Sequence, residues 1–106
     1  MGSRIWYTTH MQHITLEKIK EQVVPVLQKA EIKKAALFGS YVRGDNSEQS
    51  DIDMLVAFPE KTTLIDVVHL QRQLEGLLDK KVDLVSYNAI SPLIRDSILN
   101  HQYPLL

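Results

Sequence analysis

Asp51 and Asp53 stand one residue apart at the start of "DIDMLVAF", where the chain enters an apolar segment. In an extended strand such residues face the same side, about 6.5–7 Å from one another. Two carboxylates at that separation repel by about 2–3 kcal/mol at an effective dielectric of about 20. Set against a domain stability of about 5–15 kcal/mol, that is a large cost to carry without a use. Solvent relieves the repulsion at an exposed strand entrance, and so does a divalent cation. Hard oxygen ligands suit magnesium, which takes one or two carboxylates together with phosphate oxygens and waters. Upstream, Gly39 lets a ligand approach the backbone closely, and Ser40 offers a hydroxyl and an amide at the start of a helical turn. Arg43, about one turn on, carries a fork of donors matched to phosphate. A third carboxylate, Asp83, lies in "KVDLVSY". A phosphate cradle, a metal pair and a spare carboxylate suit in-line attack on a nucleoside triphosphate. Two metal ions would steady the incoming and departing oxygens.

Those residues converge only if the elements around them are arranged correctly. Residues 15–30 carry Leu16, Ile19, Val23, Val26, Leu27 and Ala30 at helical spacing, with Thr15 as N-cap; Pro25 should kink or split that helix. "KAALF" (34–38) reads as a buried strand, and "DIDMLVAF" (51–58) as an interior one stopped by Pro59. The longest helix spans 63–79, with Leu64, Val67, Val68, Leu74, Leu77 and Leu78 expected toward the core. A third strand covers 81–87, and a short helix covers 91–99 from a Ser91 cap and Pro92. The tail "HQYPLL" reads equally as an edge strand or as loose chain. A helix between the second and third strands makes them parallel neighbours, so Asp53 and Asp83 begin at one sheet edge. The short connection over 39–50 makes the first strand antiparallel to the second, delivering Gly39 and Ser40 to that same edge. The fold class expected is α/β (α+β): a small mixed sheet flanked by helices.

Composition narrows the alternatives. At 106 residues and 44% hydrophobic content the chain suits one domain over 14–106, after an irregular segment over 1–13. A net charge of −1 argues against binding nucleic acid through bulk positive charge. The absence of cysteine excludes thiol catalysis and disulfide scaffolds. No apolar run is long enough to cross a membrane and no secretory signal is visible, so a cytoplasmic location is expected. The apolar content is also compatible with a homodimer.

Gly39-Ser40, ten residues, then Asp51-Ile52-Asp53 matches the signature of a known superfamily. It resembles the nucleotidyltransferases whose fold is similar to the palm of DNA polymerase beta. With "KVDLVSYNAI" and "SPLIRDSIL", the chain looks like the minimal nucleotidyltransferases, small proteins commonly paired as antitoxins with a helical HEPN-domain toxin. The resemblance covers roughly residues 15–100. It implies that Asp51, Asp53 and Asp83 are metal ligands, with Asp83 also helping to activate the attacking hydroxyl. It implies that Gly39 and Ser40 hold the triphosphate of ATP. Family antitoxins resemble adenylyltransferases that move AMP onto a tyrosine of the toxin. The early end of the tail implies that the last family strand is short or altered.

Each feature has a plainer reading. Asp51 and Asp53 alone would suit a solvated strand entrance; Gly39, Ser40 and Asp83 together tilt the balance to chemistry. Asp45 and Asp66 read as turn and cap residues, the latter closing a box with Thr63. His10, His13, His69 and His101 show no paired ligand spacing. Trp6 and Tyr7 read as leader residues or a partner contact, and Tyr87 and Tyr103 as packing residues or self-modification acceptors. Two functions remain: a magnesium-dependent AMP transferase acting on a toxin hydroxyl, or a non-catalytic protein neutralising its partner by occlusion.

Overall fold

A computed structural model describes residues 14–47 and 49–106. The irregular segment expected over 1–13, with Trp6, Tyr7, His10 and His13, lies outside the described residues. Helix α1 (Leu16–Lys29) starts where the Thr15 hydroxyl accepts the Lys18 amide at 3.1 Å. Pro25 does not split it. Pro25 and Glu21, whose carbonyl loses its intrahelical partner, are both exposed, so solvent can satisfy the freed group.

Strand β1 (Ala35–Phe38) leads through Gly39 into a single helical turn, α2 (Ser40–Arg43), and β2 (Ile52–Val56) runs back antiparallel to β1. Helix α3 (Leu64–Leu78) opens on the expected box: the Asp66 amide donates to the Thr63 hydroxyl at 3.2 Å, and the Thr63 amide to the Asp66 carboxylate at 3.0 Å. It returns the chain to β3 (Val82–Ser86), parallel to β2. A short 3₁₀ turn (Tyr87–Ala89) leads to α4 (Pro92–Asn100), capped by Ser91 with Pro92 in its first turn. The tail resolves as an edge strand, β4 (Tyr103–Pro104), antiparallel to β1, with Leu105 buried behind it. The sheet order is β3-β2-β1-β4, the mixed sheet expected.

Alternation along the strands divides the sheet into two faces. Leu37, Ile52, Met54, Val56 and Val82 join Ile19, Val23 and Leu27 of α1 and Leu70, Leu74 and Leu78 of α3 in one core. The expected core face of α3 needs correction. Leu64, Val68 and Leu77 are 79%, 39% and 44% exposed, while Leu70, unassigned from the sequence, is buried. The i, i+4 stripe through Leu70, Leu74 and Leu78 saturates the sheet contact, and six or seven apolar positions are more than one helical face can hold. Ala36, Phe38, Asp53, Leu55, Asp83 and Val85 alternate onto the second face.

Candidate active site

The second face opens on a cleft of about 740 Å³ between the sheet and α4, which contains Gly39, Ser40, Arg43, Asp53 and Asp83. Five of the six residues singled out by the sequence are thus brought together. The sixth, Asp51, stands exposed at the rim, one residue before β2. Sheet register explains the meeting. The Cα of Asp53 pairs with that of Asp83 on one side and that of Phe38 on the other, immediately before Gly39. Two further contacts fix the edge: the Ile52 amide donates to the Lys81 carbonyl at 2.9 Å, and the Val82 amide to the Glu75 carboxylate at 3.0 Å. Glu75 therefore braces the strand that carries Asp83, a role that no local sequence pattern announces.

Gly39 adopts φ 81° and ψ −153°, a backbone region essentially confined to glycine. A Cβ at this position would overlap the Asp53 carboxylate. The glycine is thus required twice, by its torsions and by the acid against its backbone. The amides of Val42 and Arg43 both donate to the Gly39 carbonyl at 3.1 Å, and Gly44 closes the turn with φ 85°. Tyr41, 6% exposed, anchors the turn in the core, its hydroxyl buried without a hydrogen-bond partner among the described residues. Arg43 faces the cleft, and its Nε donates to Asp45 at 3.2 Å. Asp45, read from the sequence as a turn residue, therefore also orients the arginine.

Burial pushes the Asp53 carboxyl above its ordinary value, the charges of Asp83 and Asp51 push it further, and Arg43 opposes them. The repulsion argued from the spacing of Asp51 and Asp53 thus acts at Asp53, behind the larger effects of burial and of Asp83. Among the described residues no group of three or more His, Cys, Asp or Glu side chains is already drawn into a ligating shell. The donor set nevertheless fits magnesium: hard oxygens only, in excess negative charge, at a cleft open to phosphate and water. Asp66 serves its cap, and His69 lies on α3 away from the cleft. Tyr87 packs beside Lys34 and Tyr103 beside Lys20, and neither lines the cleft. His101 does line it, as do Ile94 and Ile98 of α4. Their spacing (i, i+4, i+7) is a helical face, but only the position of α4 over the sheet shows that this face looks onto the cleft.

The family described as polymerase beta, nucleotidyltransferase, matches residues 21–106. The chain belongs to that family. A Methanocaldococcus jannaschii protein, provisionally named a protein adenylyltransferase, is 44% identical over 93 residues, covering 88% of this chain and 100% of its own. A solved structure provisionally assigned as a minimal nucleotidyltransferase superposes with a TM-score of 0.75 at 38% identity, over 87% of this chain and 97% of that one. A toxin–antitoxin crystal structure containing AMP-PNP gives a TM-score of 0.71 at 26% identity, over 82% of this chain and 72% of its own. The mixed sheet and its flanking helices are therefore those of a nucleotidyltransferase domain. Among the described residues no helix is long and apolar enough to cross a membrane.

Proposed function

We propose that the chain transfers AMP from magnesium-bound ATP to a hydroxyl, a tyrosine by family resemblance, of a HEPN-type toxin, and so acts as its antitoxin. The observation that carries this reading is the register that sets Asp53 directly against both Asp83 and Gly39, joining the acids to the phosphate turn. The M. jannaschii relative's name and the nucleotide in the toxin–antitoxin neighbour support it. Asp51, Asp53 and Asp83 would hold magnesium, two ions when the site is full, and magnesium supplies charge neutralisation for the phosphates.

The residues of the chain have separate tasks. Gly39 and Ser40 seat the phosphates, and Arg43, steadied by Asp45, offsets their charge. The acceptor oxygen attacks the α-phosphorus, the bond from that phosphorus to the bridging oxygen of the β-phosphate breaks, and pyrophosphate leaves. The hydroxyl proton passes to Asp83, the most exposed carboxylate of the cleft. A cytoplasmic location would supply the ATP this reaction needs, and the unit responsible would be residues 14–106.

The test is incubation of the protein with ATP labelled on its α-phosphate, magnesium and a HEPN-type partner. Label on a partner tyrosine is the expected result, and Asp51→Ala with Asp53→Ala should abolish it. Unlabelled partner that is still neutralised by the double variant would replace this reading with occlusion.

A further inference from the structure

The two acids that stand opposite each other in the sheet are held unequally. Asp53 lies on β2, an interior strand paired with β1 on one side and β3 on the other. Asp83 lies on β3, an edge strand with β2 as its one neighbour, and is exposed. Charge works against this less secure member. After burial, Asp83 is the strongest influence raising the Asp53 carboxyl, so the pair repels from β2 to β3. That push falls at the entrance of the β3 ladder, one step past its opening pair, Ile52 with Val82. An edge strand pushed apart at its entrance frays, because the ladder holds it from one side alone.

Glu75 supplies the second side. The Lys81 carbonyl and the Val82 amide belong to one trans peptide group, so they point in opposite directions. The carbonyl accepts the Ile52 amide at 2.9 Å, which turns the Val82 amide toward the open edge of the sheet. The half-buried Glu75 accepts that amide on its carboxylate at 3.0 Å. The main-chain carbonyl of Glu75 also accepts the Asp79 amide at 2.8 Å, where Asp79 turns the chain out of α3 with φ 54°. One residue therefore ties down both ends of the turn over 79–82, and the peptide just before Asp83 is gripped from both sides. We propose that Glu75 is a positioning residue for the transfer reaction: its bond to the Val82 amide holds the Asp83 carboxylate at the reacting centre against the push from Asp53. The bond needs an acceptor oxygen with the reach of glutamate, and not the negative charge itself. Its catalytic consequence rests on the AMP-transfer reading, whereas the hold rests on the hydrogen bonds alone.

Kinetics of AMP transfer to a HEPN-type partner, joined to amide hydrogen exchange followed by nuclear magnetic resonance, test both parts. Glu75→Ala removes the acceptor, and Glu75→Asp keeps the charge but shortens the reach. Both should lower kcat per folded molecule about 10- to 100-fold, since a misplacement of about 1 Å costs up to about 100-fold. KM for ATP should stay within about threefold, because Gly39, Ser40 and Arg43 are untouched. The Val82 and Asp83 amides should exchange at least about tenfold faster in both variants, while those of β1 keep their wild-type rates. Glu75→Gln, which retains an acceptor at full reach, should match wild type within about threefold in kcat and in exchange. Leu74→Ala is the control for stability alone: fully buried one residue earlier in α3, it should weaken the fold and leave kcat per folded molecule unchanged. Wild-type kcat in folded Glu75→Ala or Glu75→Asp would overturn the proposal, as would unchanged exchange at Asp83. Glu75→Gln as slow as Glu75→Ala would overturn it too, by showing that the charge matters and not the bond. If the wild type labels no partner, the AMP-transfer reading falls, and exchange at Val82 and Asp83 alone decides the hold.

Discussion

Asp53 is the residue on which the chemistry and the stability of the chain pull in opposite directions. Its carboxyl is raised from 3.8 by burial and by Asp83 and Asp51. Between 3.8 and its raised value the folded chain holds a proton that the unfolded chain has lost. Stability therefore falls as pH rises through that window. Asp53→Asn removes the charge and keeps the shape, so it should raise the melting temperature at neutral pH. The gain should shrink on acidification and disappear below about 3.8, where both side chains are neutral. The same substitution should lower AMP transfer by about 100-fold or more, the loss typical of a removed charge-stabilising group. Magnesium should raise the melting temperature of the wild type and leave Asp53→Asn nearly unmoved, because only a ligand bound to the folded state stabilises it. Thermal denaturation across pH, with and without magnesium, measures all three responses. A variant no more stable than wild type at neutral pH would show that solvent already relieves the repulsion.

Two glycines show how differently the elements use the same residue. Gly39 sits in a glycine-only conformation against Asp53, and Gly76 sits inside α3 with open space where its Cβ would be. Gly39→Ala should destabilise the fold by at least about 1–3 kcal/mol from backbone strain alone, and should displace the acid as well. Gly76→Ala should stabilise it by up to about 1 kcal/mol, the helix propensity difference. Urea denaturation of the two variants should therefore show opposite signs. Much of this was legible beforehand, because it depends on local signals: Thr15, Thr63 and Ser91 capped helices as their types require, and Gly39-Ser40 before Asp51 and Asp53 marked residues that the fold gathers at one sheet edge. Strand direction followed from connection length, which in turn brought Asp83 to the right edge. What stayed hidden depends on packing between distant segments. Glu75 reaches the Val82 amide across a helix–strand junction, and Leu70 rather than Leu64 or Val68 faces the sheet. Ile94, Ile98 and His101 look like an ordinary amphipathic face until α4 is placed over the second side of the sheet.

At the scale of the whole molecule, the sheet separates stability from chemistry. Its first face carries α1, α3 and the core they form with the strands; its second carries the acids, the glycine turn and α4. The first turns of α3 follow the C-terminal end of β2, the far edge from Asp53, and hold Leu64 and Ile65 at 79% and 76% exposure. These two side chains have little contact left to lose, whereas Leu74 is fully buried between α3 and the sheet. Replacing Leu64 and Ile65 with glutamine should therefore shift unfolding free energy by no more than about 0.5 kcal/mol. Leu74→Ala should cost about 2–5 kcal/mol through lost transfer energy and a residual cavity. Binding of magnesium and α,β-methylene ATP should survive the surface pair unchanged, since neither residue reaches the cleft. Leu74→Ala should weaken ligand binding only by the fraction of chain it unfolds, so excess ligand should restore it by mass action. Urea titrations run with and without the ATP analogue distinguish these cases. A loss of more than about 1 kcal/mol from the surface pair would mean that this end of α3 is covered in solution, and a fall in the stability of the wild type on dilution would identify a second copy of the chain as the cover.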